Sequence, residues 1–245
     1  MKSFVEMNPR LISQSLYDIS STKKHLLGTR WDLADGRKFI YAKNGAVALL
    51  AGVAVQAEAP DAAHDELTIS YTTAVKAATD VIITLGASAV LANAYAEGYL
   101  RLNKGTLQGG LYKIKSHAAN AGSLALTLKL YDELRVTLTD EEGSLVKHPC
   151  KDVIVHPAPN TTVIVGVTLC AVTANYYAWL QVKGPAAVLM EGTPVIGQGL
   201  KPSATTDGAL TVKAEADTVE QLCGQCIQVP TSTEVGMAML DIAGW

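Results

Sequence analysis

The 245-residue chain is 49% apolar, 18% charged and only 6% aromatic, so either Ala, Val and Leu build much of its interior or a partner hides part of that apolar surface. A formal charge of −3, a pI near 5.9 and the lack of a long basic block give no electrostatic reason to bind nucleic acid. No stretch approaches the ~18 uninterrupted apolar residues of a membrane span, and MKSFVEMNPR lacks the apolar run of a secretion signal, so the expectation is a soluble chain that is not Sec-exported.

Residues 1–30 are polar and mixed, with Pro9 early and no sustained apolar period, which predicts an extended N-terminal arm with at most one short helical turn. From Arg37 onward, short apolar runs are closed by Gly, Asn, Asp or Pro, the rhythm of an all-β body of barrel or sandwich type. The body runs over 31–245, with room for two β-subdomains meeting near 140–160. Strands are expected at 38–42, 66–71, 80–85, 99–103, 111–115, 123–130, 134–138, 145–148, 152–155, 163–172, 177–183, 210–213 and 221–229. The β-branched content around Thr72, Thr73 and Thr79 favours two strands and a loop over a helix. In RVTLTDEEGSLVKH, alternation at Val136 and Leu138 followed by Asp140, Glu141, Glu142 and Gly143 predicts a hairpin with a solvated acidic tip. AVALLAGVAV (46–55) and AAVLMEGTPV (186–195) share Ala, Leu, Gly and Val at identical spacing; each reads as strand, Gly turn, strand, by convergence or by duplication.

Reactive signatures are sparse. GASAV lacks the second Gly of a nucleophile elbow, and Gly105 to Gly110 is followed by Leu111 where a phosphate loop needs Lys. Cys223-Gly-Gln-Cys226 could hold zinc or exchange thiols, but zinc needs four ligands and no second pair accompanies it. Its surroundings, EQLCGQCIQVP, read as a strand with a Gly bulge rather than the helix start a redox pair needs. All four cysteines, with Cys150 and Cys170, are expected as reduced thiols. His148 and His156 flank Cys150, but eight residues of strand span ~26 Å, so they are expected as separate surface or loop histidines. Asp140, Glu141 and Glu142 could attract a cation, but a solvated turn is the plainer reading. Tyr177 and Trp179 share one strand face and Tyr176 takes the other, which describes a sugar platform or, more simply, a core or interface strand. No catalytic, cofactor-binding or metal residue is assigned, and no cofactor is expected.

Three strings carry a family resemblance: HLLGTRWDLADGRKFIYAKNGAVALLAG (25–52), VLANAYAEGYLRLNKGTLQGGLYKIKSHAA (90–119) and YYAWLQVKGPAAVLMEGTPVIGQGLKPSATTDGAL (176–210). In their Gly-Thr, Asp-Gly-Arg-x-Phe-x-Tyr-Ala and Trp-x-Gln-x-x-Gly-Pro-Ala patterns the chain resembles the head decoration (cement) and capsid-associated structural proteins of tailed bacteriophages. The resemblance implies a non-enzymatic protein made in the host cytoplasm that docks as a homotrimer on the major capsid protein lattice, on the capsid exterior, and stabilises the head. Head fibre, minor capsid and tail-associated proteins use similar modules. A β-module binding host carbohydrate through Tyr177 and Trp179 is the alternative from another class.

Overall fold

The computed structural model describes residues 13–214, 220–242 and 244, and the chain divides into two compact units. One comprises the chain up to Glu58 and from Pro149 onward; the other, Ala59–His148, is inserted within it. Both are built of strands, as the Gly- and Asn-punctuated rhythm predicts.

The first unit opens with β1 (Arg30–Asp32), β2 (Lys38–Lys43) and β3 (Ala54–Gln56). β1 and β2 form an antiparallel hairpin with Trp31 opposite Phe39. The inserted unit contributes a single 3-10 turn, Ala62–His64, then β4 (Leu67–Thr68), β5 (Asp80–Thr84), β6 (Tyr99–Leu102), β7 (Leu111–His117), β8 (Ala125–Leu130) and β9 (Glu142–Val146). They pair in the order β4-β9-β6-β7-β8-β5, and a bridge between Ile69 and Ile83 joins the last strand back to the first. This unit is therefore a closed six-stranded barrel, with no edge left to template aggregation. Period-2 alternation fills it: Leu126, Leu128 and Leu130 point in while Ala125, Thr127 and Lys129 point out.

The first unit resumes with β10 (Ile154–Val155), β11 (Ile164–Thr168), β12 (Tyr177–Met190), β13 (Gly199–Pro202), β14 (Leu210–Val212), β15 (Gly224–Gln228) and β16 (Glu234–Asp241). β12 organises it. The first half of β12 lies between β2 and β11; its second half pairs with β16 from Lys183 to Met190 and meets β14 at Leu210. Through β14-β13-β15-β16 the second half closes a five-stranded barrel, whereas the first half belongs to an open sheet reaching β3 and β10. The change of partners falls at Gly184, whose φ of +86° suits glycine, and whose missing Cβ would lie 3.0 Å from the Arg37 Cα. Val188, Met190, Leu200, Leu210, Ala238 and Leu240 are buried in this unit's core.

Residues 13–30 have no regular element before Arg30, and they lie along the unit's own sheet. Gln14 is buried there: its Nε2 donates to the carbonyls of Asp18 (2.7 Å) and Tyr177 (3.1 Å), and its own carbonyl accepts from Trp179 Nε1 (3.1 Å). Tyr41 Oη donates to Gln14 Oε1 (3.0 Å) and accepts from the Lys24 N–H (3.1 Å). Leu16, Phe39, Tyr41 and Trp179 form a second, aromatic core beneath this segment. The first twelve residues of the expected arm lie outside the described residues.

Four expectations need correction. The hairpin at 134–148 is absent: residues 134–140 form bends and irregular backbone, and β9 starts at Glu142 and pairs with β4 and β6 instead. The expected acidic turn lies partly within that strand, where Gly143 packs closely against Leu100 and Ile69. Strands β1, β13 and β16 were not anticipated, and the strand expected ahead of the Gly192 turn proves continuous with the one expected at 177–183, both being parts of β12. The two similar strings share only their Gly turns, at Gly52 and Gly192: the first has no strand before its Gly, and the second has none after it.

Candidate functional site

The residues singled out in the sequence serve the cores. Cys223 and Cys226 are buried in the first unit, and all four cysteines are free thiols. Burial pushes Cys223 up to about 12 and raises Cys226; Cys150 is likewise pushed up to about 12, against a weaker opposing hydrogen bond from Gly28. Such thiols stay protonated and poorly nucleophilic at neutral pH. The irregularity in β15 falls between Cys226 and Gln228.

His148 and His156, expected as surface or loop histidines, both lie outside the strands, but they are buried rather than exposed. His148 stacks on Tyr99 in the inserted unit (6.2 Å between ring centroids), and His156 sits with Nδ1 2.9 Å from Pro157 O and Nε2 2.8 Å from Ala209 O. The inserted barrel also buries a chain of polar rings that sequence reading missed. The Ser88 carbonyl can only accept, so His64 holds its proton on Nε2 (3.1 Å), and its Nδ1 accepts from Tyr95 Oη (2.7 Å). The Tyr95 N–H in turn donates to His117 Nε2 (2.9 Å). These contacts join groups of the inserted unit to one another, as satisfied core polar groups require.

Glu141 is the sharpest departure from the solvated turn: its side chain is fully buried. Its carboxylate accepts backbone N–H groups from Thr139 (2.8 Å), Asp140 (3.1 Å) and Leu107 (3.2 Å). Burial works to raise its pKa, but those N–H donors outweigh it and hold the group below the usual carboxylate range. Glu142 pairs with Lys104 Nζ at 2.5 Å. Among the described residues no cluster of three His, Cys, Asp or Glu could hold a metal ion. In the loop after β13, the Ser203 and Thr205 hydroxyls donate to Glu191 and hold its pKa down, Ser203 most strongly.

Trp179 is 1% exposed, wedged between Tyr41 (5.1 Å) and Trp31 (5.4 Å) under residues 13–30. Its ring offers no face to a sugar, and Tyr177 stacks on Tyr41 (5.9 Å) in the same layer.

What the first unit does expose is apolar. β16 alternates, but both of its faces are hydrophobic: Ala238 and Leu240 point into the barrel, while Val235, Met237 and Met239 remain 52%, 37% and 44% exposed. Across the ladder these meet Leu189, Ala187 and Pro185. The outer face of β8 in the other unit carries Thr127 and Lys129 instead, the usual polar side of an antiparallel sheet.

Beside this face lies a cleft of about 530 Å³, walled by Ala187, Val235 and Met237 on one side and by the Ala51–Gly52 turn with Val167 and Leu169 on the other. The Gly52 turn is tied in place by its N–H to Thr168 O (2.9 Å) and by the Leu189 N–H to its own carbonyl (2.7 Å). Gln181, 4% exposed, lines the cleft; its Nε2 donates to Lys183 O (3.1 Å) and Pro185 O (2.8 Å). Tyr17 and Arg37 complete the lining. The Asp35 carboxylate takes Arg37 Nε at 2.7 Å and raises the pKa of the guanidinium. These residues come from six separate stretches of chain; Arg37 and Gln181 stand in the strings that carry the resemblance, and Gly52 and Ala187 in the two similar strings, but nothing in the sequence brings them together.

No helix among the described residues is long and apolar enough to cross a membrane. The chain matches no protein-family profile, no curated protein and no solved structure.

Proposed function

We propose that this chain is a non-enzymatic decoration protein of a tailed-bacteriophage head, which binds the major capsid protein lattice on the capsid exterior as a homotrimer and stabilises the shell. The observation that carries the reading is the outer face of β16, where Val235, Met237 and Met239 leave an antiparallel strand apolar on its solvent side. A strand apolar on both faces is one that works covered on both faces. The three strings of virion type supply the kind of partner: a protein lattice.

The test is co-sedimentation of the purified protein with heads of the phage that encodes it. Saturable binding at a fixed ratio, with decorated heads surviving heating that bursts bare ones, is the expected result. A protein that stays in the supernatant, or that labelled microscopy finds on the tail, would overturn the reading. Light scattering on the free protein checks the trimer.

A further inference from the structure

We propose that His117 is an acid-released latch in the inserted barrel. Its unprotonated Nε2 holds the turn at 91–98 onto the end of β7, and a proton taken up there lets the turn open.

His117 is the last residue of β7 and is buried. Three hydrogen bonds tie the turn to it. Its N–H donates to Asn93 Oδ1 (3.0 Å), its carbonyl accepts the Asn93 N–H (3.1 Å), and its Nε2 accepts the Tyr95 N–H (2.9 Å). The partners fix where the ring proton sits. A backbone N–H only donates, so Nε2 is bare; the Ala118 carbonyl, 2.7 Å from Nδ1, only accepts, so Nδ1 carries the proton. A second proton, on Nε2, sets two N–H groups against each other and leaves the buried Tyr95 N–H without its acceptor.

His64, the other imidazole in this chain of rings, has an escape that His117 lacks. The Tyr95 hydroxyl can rotate to accept from a protonated His64 Nδ1, and the Asp61 carboxylate lies 3.5 Å from the same nitrogen. A backbone N–H cannot reverse, so the response to acid falls on His117. The remaining titratable groups around the contact are Tyr95 and Glu97 on the turn, Glu97 being buried, and Lys129, next to the Leu128 that pairs with His117 across the β7–β8 ladder.

Val90 and Tyr95 belong to the apolar core of the barrel, so a turn that swings away presents both to solvent. Opening frees His117 to take its second proton, and the closed form therefore loses ground as pH falls through about 6.5, where a free imidazole titrates. The opening is local, because the inward Leu126, Leu128 and Leu130 of β8 are held by β5 and β7.

The test is hydrogen–deuterium exchange of the full chain, followed by mass spectrometry and corrected for the intrinsic exchange rate at each pH. Protection of 91–98 should fall by up to about tenfold for each pH unit below about 6.5, while 125–130 keeps its protection. His117→Gln keeps an acceptor for the Tyr95 N–H and does not titrate, so its protection stays level over the same range. Glu97→Gln keeps the wild-type loss. Should His117→Gln fail to fold, 15N spectra of the wild-type imidazoles decide: His117 gains its second proton at the pH at which the turn opens. The proposal is overturned by protection at 91–98 that ignores acid, by a His117→Gln protein that loses protection as wild type does, by a Glu97→Gln protein that no longer loses it, or by a His117 ring that stays neutral while the turn opens.

Discussion

Glu141 shows how a single side chain can tie two stretches of loop together, its own at Thr139 and Asp140 and the one at Leu107. Its folded pKa lies below the ordinary value of 4.5, so its contribution to stability is fully present above that value and is lost as pH falls through the folded one. Replacing it by Gln puts an amide among three N–H donors, at an expected cost of about 1–3 kcal/mol near neutral pH. Urea unfolding of E141Q against wild type should show that difference at pH 7 and a smaller one as pH falls below 4.5; a difference that does not shrink with acid would refute a role for the charge. The thiols make a second residue-scale expectation. Cys170 is the one cysteine that is not fully buried, so a thiol reagent should modify it first in the native protein and reach Cys150, Cys223 and Cys226 only on unfolding. Rapid reaction at Cys223 or Cys226 would restore them as a reactive pair. None of the buried histidines was legible in advance, because a lone His carries no period and its place is set by neighbours distant in the chain.

At the scale of elements, the strands with clean alternation and Gly or Asn punctuation were legible: 38–42, 80–85, 99–103, 111–115 and 123–130 all lie on observed strands. The missed ones each have a physical reason. Arg30–Asp32 is short and charged, and Glu234–Asp241 lacks polar alternation because neither of its faces is polar. At 134–148 the turn chemistry of Asp140 to Gly143 was real, but the pairing of β9 with β4 and β6 outweighed it. The candidate cleft was illegible because Arg37, Gln181 and Met237 come together only through the long β12. Residues 13–30 act as an element too, since Gln14 and Leu16 close the aromatic core. Removing residues 1–25 should therefore uncover Trp179 and cost about 3–5 kcal/mol, the range for opening a large aromatic core. Tryptophan fluorescence during thermal unfolding checks this; a truncated protein as stable as wild type would mean that the segment adds nothing to the core.

For the whole molecule, the division into two units has a thermodynamic meaning, since each holds its own hydrophobic cluster. The inserted barrel draws its core from Leu67 through Leu145 alone, so Ala59–His148 made as a separate protein should fold and melt cooperatively; a broad, non-cooperative melt would show that it depends on the rest of the chain. The first unit has no such internal seam. β12 runs through both its sheet and its barrel, paired with β2 and β11 before Gly184 and with β16 after it. No partial opening of that unit releases the strand from all its neighbours at once. Its backbone amides should therefore be the last in the unit to trade hydrogen for deuterium, at a rate that reads out opening of the entire unit.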